Sequence, residues 1–270
     1  MKIGYKMSED SFTEVTHTSW LSRLGESIKG ILFGILFFLI SIGLIIWNEG
    51  RSVDRIKTLE EGKGAVVPVS SEQVSNENEG ALIHLSGKAD TNEILQDAVF
   101  GVSEKALKLQ RVVEMYQWHE KSRSKTKTNV GGSQTTETTY TYNKGWSENL
   151  IDSSSFNKPE GHKNPTKMPY QGERFVAKEI KIDAFNLGRP FVSQLSGYTG
   201  YKLTNENYKN MDNRLHKYLK LNAGKYLYGD PNNLKVGAVR VSYRIIKPTV
   251  ISVVGRQSGD SVGAYNTKKW

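Results

Sequence analysis

Apolar and polar positions mix along most of this chain, but one stretch does not: "ILFGILFFLISIGLIIWNEGR", Ile31 to Arg51. From Ile28 to Trp47 the run covers about 20 residues, roughly 30 Å as a helix, which matches the hydrocarbon core of a bilayer. Lys29 is its only charge and sits at the end, where its stem reaches the polar interface. A secretory signal has a shorter apolar core, about 7–15 residues, followed by a small-x-small cleavage site. Here Trp47 is followed by Asn48, Glu49, Gly50 and Arg51. The pattern predicts a retained transmembrane helix over 28–47, with Lys29, Trp47 and Arg51 at the membrane–water interface.

Before it, 1–27 is polar. Met1 to Trp20 lacks a period and reads as a flexible tail; Leu21, Leu24 and Ile28 then share a helical face as an amphipathic lead-in. After it, 48–270 turns strand-like. "KLQRVVEMYQWHE" alternates, with Leu109, Arg111, Val113, Met115, Gln117 and His119 on one side and Gln110, Val112, Glu114, Tyr116, Trp118 and Glu120 on the other. Neither side is purely apolar, as expected of a sheet covered on both faces. "TTETTYTYNKGWSE" is a second Thr/Tyr-rich strand. The expectation is an antiparallel pair between Val112–Glu120 and a strand inside Thr136–Trp146, with Lys121–Gln134 as a mobile tip.

Further on, Pro190 suits the first turn of a short helix, and Met211, Leu215 and Leu219 lie at helical spacing. "GALIHLSG", "GKYLYGD", "VGAVRVSYRIIKP" and "TVISVVGRQSGD" read as strands. The fold class is α+β: a β-rich extramembrane domain, mostly antiparallel with a few short helices, attached to an N-terminal transmembrane helix. "EGALIHLSG" and "VGAVRVSYR" look alike, which opens a reading of two similar sub-modules, about 60–155 and 175–270.

Charge and chemistry narrow the function. The formal net charge is +9, and beside an anchor such an excess favours anionic lipid headgroups. No reading helix or aromatic stacking platform accompanies it, so no specific nucleic-acid partner is expected. Lys121, Arg123, Lys125 and Lys127 read as a solvated tip, with headgroup contact the next choice. Arg23 and Lys29 before the span, against Arg51, Arg55 and Lys57 after it, lean the domain towards the cytosol. With no cysteine, disulfides, thiol nucleophiles and Cys-based metal sites are excluded. His119 and Glu120 lack the second histidine of HExxH, and no Walker loop, GxSxG or GxGxxG unit occurs. No catalytic residue, metal or cofactor is expected. In "EGHKNP", His162 and Glu160 could form an acid–base pair, but a turn is the stronger reading. Gly161 supplies positive φ, and Asn164 before Pro165 suits an Asx-type turn.

"NEGR" after the span, "ENEGALIHLSG", "ALKLQRVVEMYQW", "YNKGWSENLIDSSSF", "GHKNP", "VGAVRVSY" and "GRQSGD" occur in this order. Together they resemble the transmembrane protein 43 (LUMA) family and its bacterial relatives. The specific pieces are Val113, Glu114, Met115, Tyr116, Gln117 and Trp118, and Gly161, His162, Lys163, Asn164 and Pro165, read as structural. The resemblance implies a non-enzymatic integral membrane scaffold that organises membrane protein complexes or membrane architecture. The alternative is a membrane-tethered lipid- or ligand-binding module. Implied partners are the lipid bilayer, further copies of the chain as a homo-oligomer, and other membrane proteins, in animal members emerin and lamins. In those members the large domain faces the lumen. Residence would be the inner membrane of a bacterium, or the endoplasmic reticulum and inner nuclear membrane of a eukaryote. The family pattern runs on past "GRQSGD" to C-terminal membrane helices; the expectation here is a bacterial-type chain without them.

Overall fold

A computed structural model describes residues 10–265. In chain order it runs through β1 (Ser11–Thr18), α1 (Trp20–Ala65), β2 (Val67–Pro68), β3 (Leu82–Asp90), β4 (Ile94–Asp97) and β5 (Val102–Lys105). Then come β6 (Lys108–Thr128), β7 (Gln134–Ser147), β8 (Glu173–Val176), β9 (Lys181–Ile182), β10 (Phe185–Leu187) and α2 (Arg189–Gln194). The chain closes with β11 (Thr199–Tyr201), α3 (Asn205–Asn210), β12 (Lys220–Asn222), β13 (Lys225–Tyr228), β14 (Val239–Ile246), β15 (Thr249–Ser258) and β16 (Ser261–Gly263). Two compact units result: Met1–Asp54 with Met115–Met168, and Arg55–Glu114 with Pro169–Trp270.

In the first unit β1, β7 and the outer part of β6 form an antiparallel sheet. The expected pairing holds from Tyr116 opposite Trp146 to Glu120 opposite Tyr142, but not for Val112 to Glu114, because the ladder with β7 starts only at Met115 opposite Ser147. Two expectations fail. The described part of the supposed tail is a strand, β1, lying along β7 from Ser11 opposite Thr141 to Thr18 opposite Gln134. The mobile tip also shrinks, because β6 runs on to Thr128 and only Asn129–Ser133 turns. Both errors have one cause. A strand with water on both faces needs no apolar side, so hydropathy does not mark it. Hydroxyl pairs across the strands hold it instead: Ser124 with Thr138 at 2.9 Å, and Thr126 with Thr136 at 3.0 Å.

Helix α1 is continuous over 46 residues, about 69 Å, well beyond the expected 28–47. Its start is capped, since the Ser22 N–H donates to Ser19 Oγ at 3.2 Å. Ile31, Leu32, Phe33, Ile35 and Leu36 are all exposed, so apolar side chains face outward all round.

The second unit holds two sheets and the β4–β5 hairpin. In one, β12, β13, β14 and β6 lie side by side, with β11 on β14 and β8 on β6. In the other, β15, β16, β10, β9 and β3 follow one another, and β15 also pairs with β3. The ring closes, which removes its free edges. Pro68 sits in β2, beside β3, as suits a strand that need not donate on both sides. Ile83, Leu85, Ile182, Phe185 and Val262 are buried in this unit, as are Leu109, Tyr226, Val241 and Ile245.

Helix α2 carries Pro190 in its first turn, as expected. The helix expected through Met211, Leu215 and Leu219 does not form. Helix α3 ends at Asn210, and the chain then turns. Asp212 Oδ1 accepts from the Arg214 N–H at 2.9 Å, a local bond that competes with helix. Met211 and Leu219 are buried all the same. Gly101 is held in the left-handed region at φ 68°, and an added Cβ would collide with the α3 backbone at Asn207 and Met211.

Candidate functional site: the apolar helix and the His162 corner

The expected interface residues lie along α1, all exposed. The Arg51 guanidinium sits 5.0 Å from the Trp47 ring centre, joining a cation and an aromatic at the polar end of the apolar run. Within the run, Ser41 Oγ donates to the Phe38 carbonyl at 2.7 Å, so its hydroxyl needs no water.

Met115 to Trp118 of one family motif and Gly161 to Pro165 of the other lie together in the first unit. Gly161 has φ 83°, as the turn reading required. It delivers His162 into a buried slot, where the ring stacks on Tyr142 at 3.8 Å and meets Trp118 edge-on at 4.8 Å. Nδ1 donates to the Lys158 carbonyl at 2.8 Å, and Nε2 lies 2.8 Å from Asp10 Oδ1. Glu160 is exposed, and the acid–base pair with His162 does not form. Both ring nitrogens are already engaged.

Asn164 corrects the Asx-turn expectation. Its Oδ1 accepts from the Trp118 N–H at 2.8 Å, and its Nδ2 donates to the Trp118 carbonyl at 3.0 Å and the Ile151 carbonyl at 3.3 Å. One side-chain amide thus replaces a missing neighbour strand for β6. From β6 itself, the Gln117 side chain pins the segment after β7, donating to the Asn149 carbonyl at 3.0 Å and accepting from the Ile151 N–H at 2.9 Å. Tyr142 completes the corner. Its hydroxyl donates to Glu120 Oε2 at 2.7 Å and accepts from the Lys158 N–H at 3.0 Å. Burial, then the bond to Glu120, pushes its phenol up to about 12. Asn164→Ala is expected to cost about 1–3 kcal/mol by stranding the Trp118 peptide groups, read as a lowered melting temperature. An unchanged melt would mean that water replaces the amide at no cost.

The other motif residues scatter. Met115 is buried, Tyr116 packs on Trp146 at 5.3 Å between ring centres, and Lys163 is exposed. Pro165 is half-buried. Val113 and Glu114 belong to the second unit, where Val113 is buried and Glu114 takes a two-pronged bond from Arg240 at 2.6 and 2.7 Å.

Sequence reasoning missed the polar centre of the second unit. Arg111 pairs with Asp97, donates to Glu173 at 2.8 Å and to the Gln171 carbonyl at 2.8 Å, and lies 4.7 Å from the Phe100 ring centre. Tyr243 donates to the same Asp97 at 2.7 Å; burial and the Asp97 charge push its phenol far up. The signal was Arg111 itself, a charge aligned with Leu109, Val113 and Met115. A cleft of about 570 Å³ also lies among Val99, Pro169, Tyr170, Leu215, Tyr218 and Tyr228. Among the described residues no three His, Asp or Glu side chains gather as a metal site. The basic residues Lys121, Arg123, Lys125 and Lys127 occupy one face of β6 by alternation.

The family model for transmembrane protein 43 matches residues 115–270. Transmembrane protein 43 of Mus musculus is 33% identical over 95% of this chain and 65% of its own length. The Homo sapiens protein is 33% identical over 92% and 64%, and the Drosophila melanogaster homologue 30% identical over 92% and 67%. The chain thus spans about two thirds of the length of the curated relatives it matches. No solved structure matches it. With its exposed apolar helix and this likeness along nearly its whole length, the chain is a membrane protein and belongs to the transmembrane protein 43 family.

Proposed function

We propose that this chain is a non-enzymatic membrane scaffold, with α1 crossing the bilayer once and the strand-rich part organising membrane protein complexes or membrane architecture. The observation that carries the reading is α1. Its span candidate, Trp20–Lys57, contains a window of mean hydropathy 2.6 with no part buried, and a helix apolar on every side needs lipid around it. The polar clusters support a structural role, because the His162 and Arg111 groups bond to the protein's own backbone and side chains. The partners proposed are the bilayer, further copies of the chain and other membrane proteins. The compartment follows the cell: endoplasmic reticulum and inner nuclear membrane in a eukaryote, inner membrane in a bacterium.

The test is capture of the full chain from native membranes after mild cross-linking. Wild type is expected to bring down a reproducible set of membrane proteins. Gly101→Val, which leaves α1 untouched but forces α3 away, is expected to stay in the membrane and lose that set. An unchanged set would count against the domain as organiser.

A second reading, a lipid- or ligand-binding module, draws on the basic face of β6 and on the aromatic cleft. It predicts that Lys125 and Lys127 in proteoliposomes become protected from acetylation when anionic lipid is included. Equal modification with and without anionic lipid would remove the lipid version.

A further inference from the structure

A crossing α1 and the β1–β7 pairing exclude each other within one chain. Among the described residues α1 is the one helix long and apolar enough to cross a bilayer. If it crosses, the described residues before Ile28 lie on one side and β7, which follows Trp47, on the other. Strand β1 precedes the span and β7 follows it. The hairpin cannot reach through lipid to restore the contact, since β6 is charged at Lys121, Arg123, Lys125 and Lys127 and hydroxylated between them.

The grip of β1 on β7 is suited to release. Six of the eight β1 residues are exposed and none is fully buried. Its side-chain contacts are light: Phe12 stacks on Tyr140 at 6.2 Å, His17 meets Thr135 at 3.1 Å and Thr13 meets Thr139 at 3.4 Å. Asp10, on the same segment, lies against His162.

We infer that β1 is a temporary cover, and that insertion of α1 strips it from β7 and opens that edge to β7 of a second copy. A bare strand edge presents unpaired N–H and C=O groups, a template on which another strand can add. The two strands are chemically alike. β1 reads "SFTEVTHT" and the covered part of β7 reads "QTTETTYT", with Thr13, Glu14, Thr16 and Thr18 matching Thr136, Glu137, Thr139 and Thr141. An edge that accepts the first accepts the second.

Symmetry fixes the register. Two copies of one strand pair antiparallel about a two-fold axis through a residue facing its own counterpart. Centring on Glu137 would oppose two like charges, which is destabilising. Centring on Thr138 sets Glu137 opposite Thr139, Thr136 opposite Tyr140 and Thr135 opposite Thr141, with no like charges opposed. It also uses the whole edge that β1 vacates, which reaches Tyr142, whose N–H now donates to the Asp10 carbonyl at 3.1 Å.

The inference rests on the proposed crossing, and the chain's lack of cysteine allows both to be tested separately. The full chain is placed in proteoliposomes. Single Thr13→Cys and Thr139→Cys variants are labelled with a membrane-impermeant maleimide, and are expected to react from opposite sides. The Thr13→Cys/Thr139→Cys double variant, whose positions face each other in the structure, is expected to form no intrachain disulfide once inserted. Thr138→Cys is expected to oxidise to a covalent dimer. Val130→Cys is expected not to, since it sits at the hairpin tip and the axis would hold the two tips at opposite ends. Labelling from one side, or an intrachain disulfide, overturns the crossing and the inference together. Opposite-side labelling without a Thr138→Cys dimer, or with equal dimer from Val130→Cys, overturns the edge pairing and leaves the crossing standing.

Discussion

Asp97→Ala is expected to destabilise the second unit by about 3–5 kcal/mol, the usual cost of leaving a buried partner charge uncompensated. Asp97 is 3% exposed and Arg111 8% exposed, so water cannot replace the lost carboxylate. Burial works most strongly against the Arg111 charge, but Asp97, Tyr243 and Glu173 together outweigh it and hold the guanidinium above its ordinary value. The same substitution strips the Tyr243 hydroxyl of its acceptor in a buried site. Glu173 is a poor substitute, because its side chain is 54% exposed and its attraction is screened. The double variant Asp97→Leu with Arg111→Met is expected to recover most of the loss, since a buried ion pair often adds little net stability over apolar groups of similar size. Urea unfolding followed by hydrogen exchange at second-unit amides such as those of β13 and β14 measures both. A loss below about 1 kcal/mol for Asp97→Ala would show that the pair is already hydrated.

How legible each element was depended on whether its stabilising force leaves a period in the sequence. α1 was legible because lipid demands an uninterrupted apolar run, and only its polar extensions to Trp20 and Ala65 escaped. The inner hairpin was legible because β6 alternates: Leu109, Arg111, Val113, Met115 and Gln117 are all buried. Strand β1 and the outer hairpin were not, because hydroxyl pairs on a sheet wetted on both faces carry no hydropathic signal. For α3, the spacing of Met211 and Leu219 found buried residues but not their conformation, since turns place side chains at similar intervals. Asn164 acts on Trp118, 46 residues away, so no local rule could find its role. Arg111 advertised a buried charge, but its spacing from Asp97 follows from a hairpin, an irregular stretch and a second strand rather than from a motif. The closure of β15 on β3, with Val250 opposite Lys88, depends on two strands far apart in the chain.

Leu36→Arg combined with Phe38→Arg is expected to move the chain from the carbonate-resistant membrane pellet to the soluble or aggregated fraction. Each arginine at the centre of a span costs about 2.5–3.5 kcal/mol on insertion scales, and the pair shifts partition by roughly four orders of magnitude. Position decides the size of the effect. Lys29 is tolerated because it lies at the end of the apolar run, whereas Leu36 and Phe38 lie near its middle, beyond easy snorkelling reach. Direction decides it too. Two residues apart on a helix is about 200°, so the charges point to nearly opposite sides and no rotation of α1 hides both. Leu36→Val with Phe38→Leu keeps the surface apolar and is expected to stay in the pellet. The charged variant has a second readout. A chain that fails to insert keeps β1 and β7 on one side of the membrane, so adding Thr13→Cys and Thr139→Cys to it is expected to restore the intrachain disulfide absent from the inserted protein. Carbonate-resistant pelleting of the charged variant would sink α1 as the anchor, and with it the reason for β1 to leave β7.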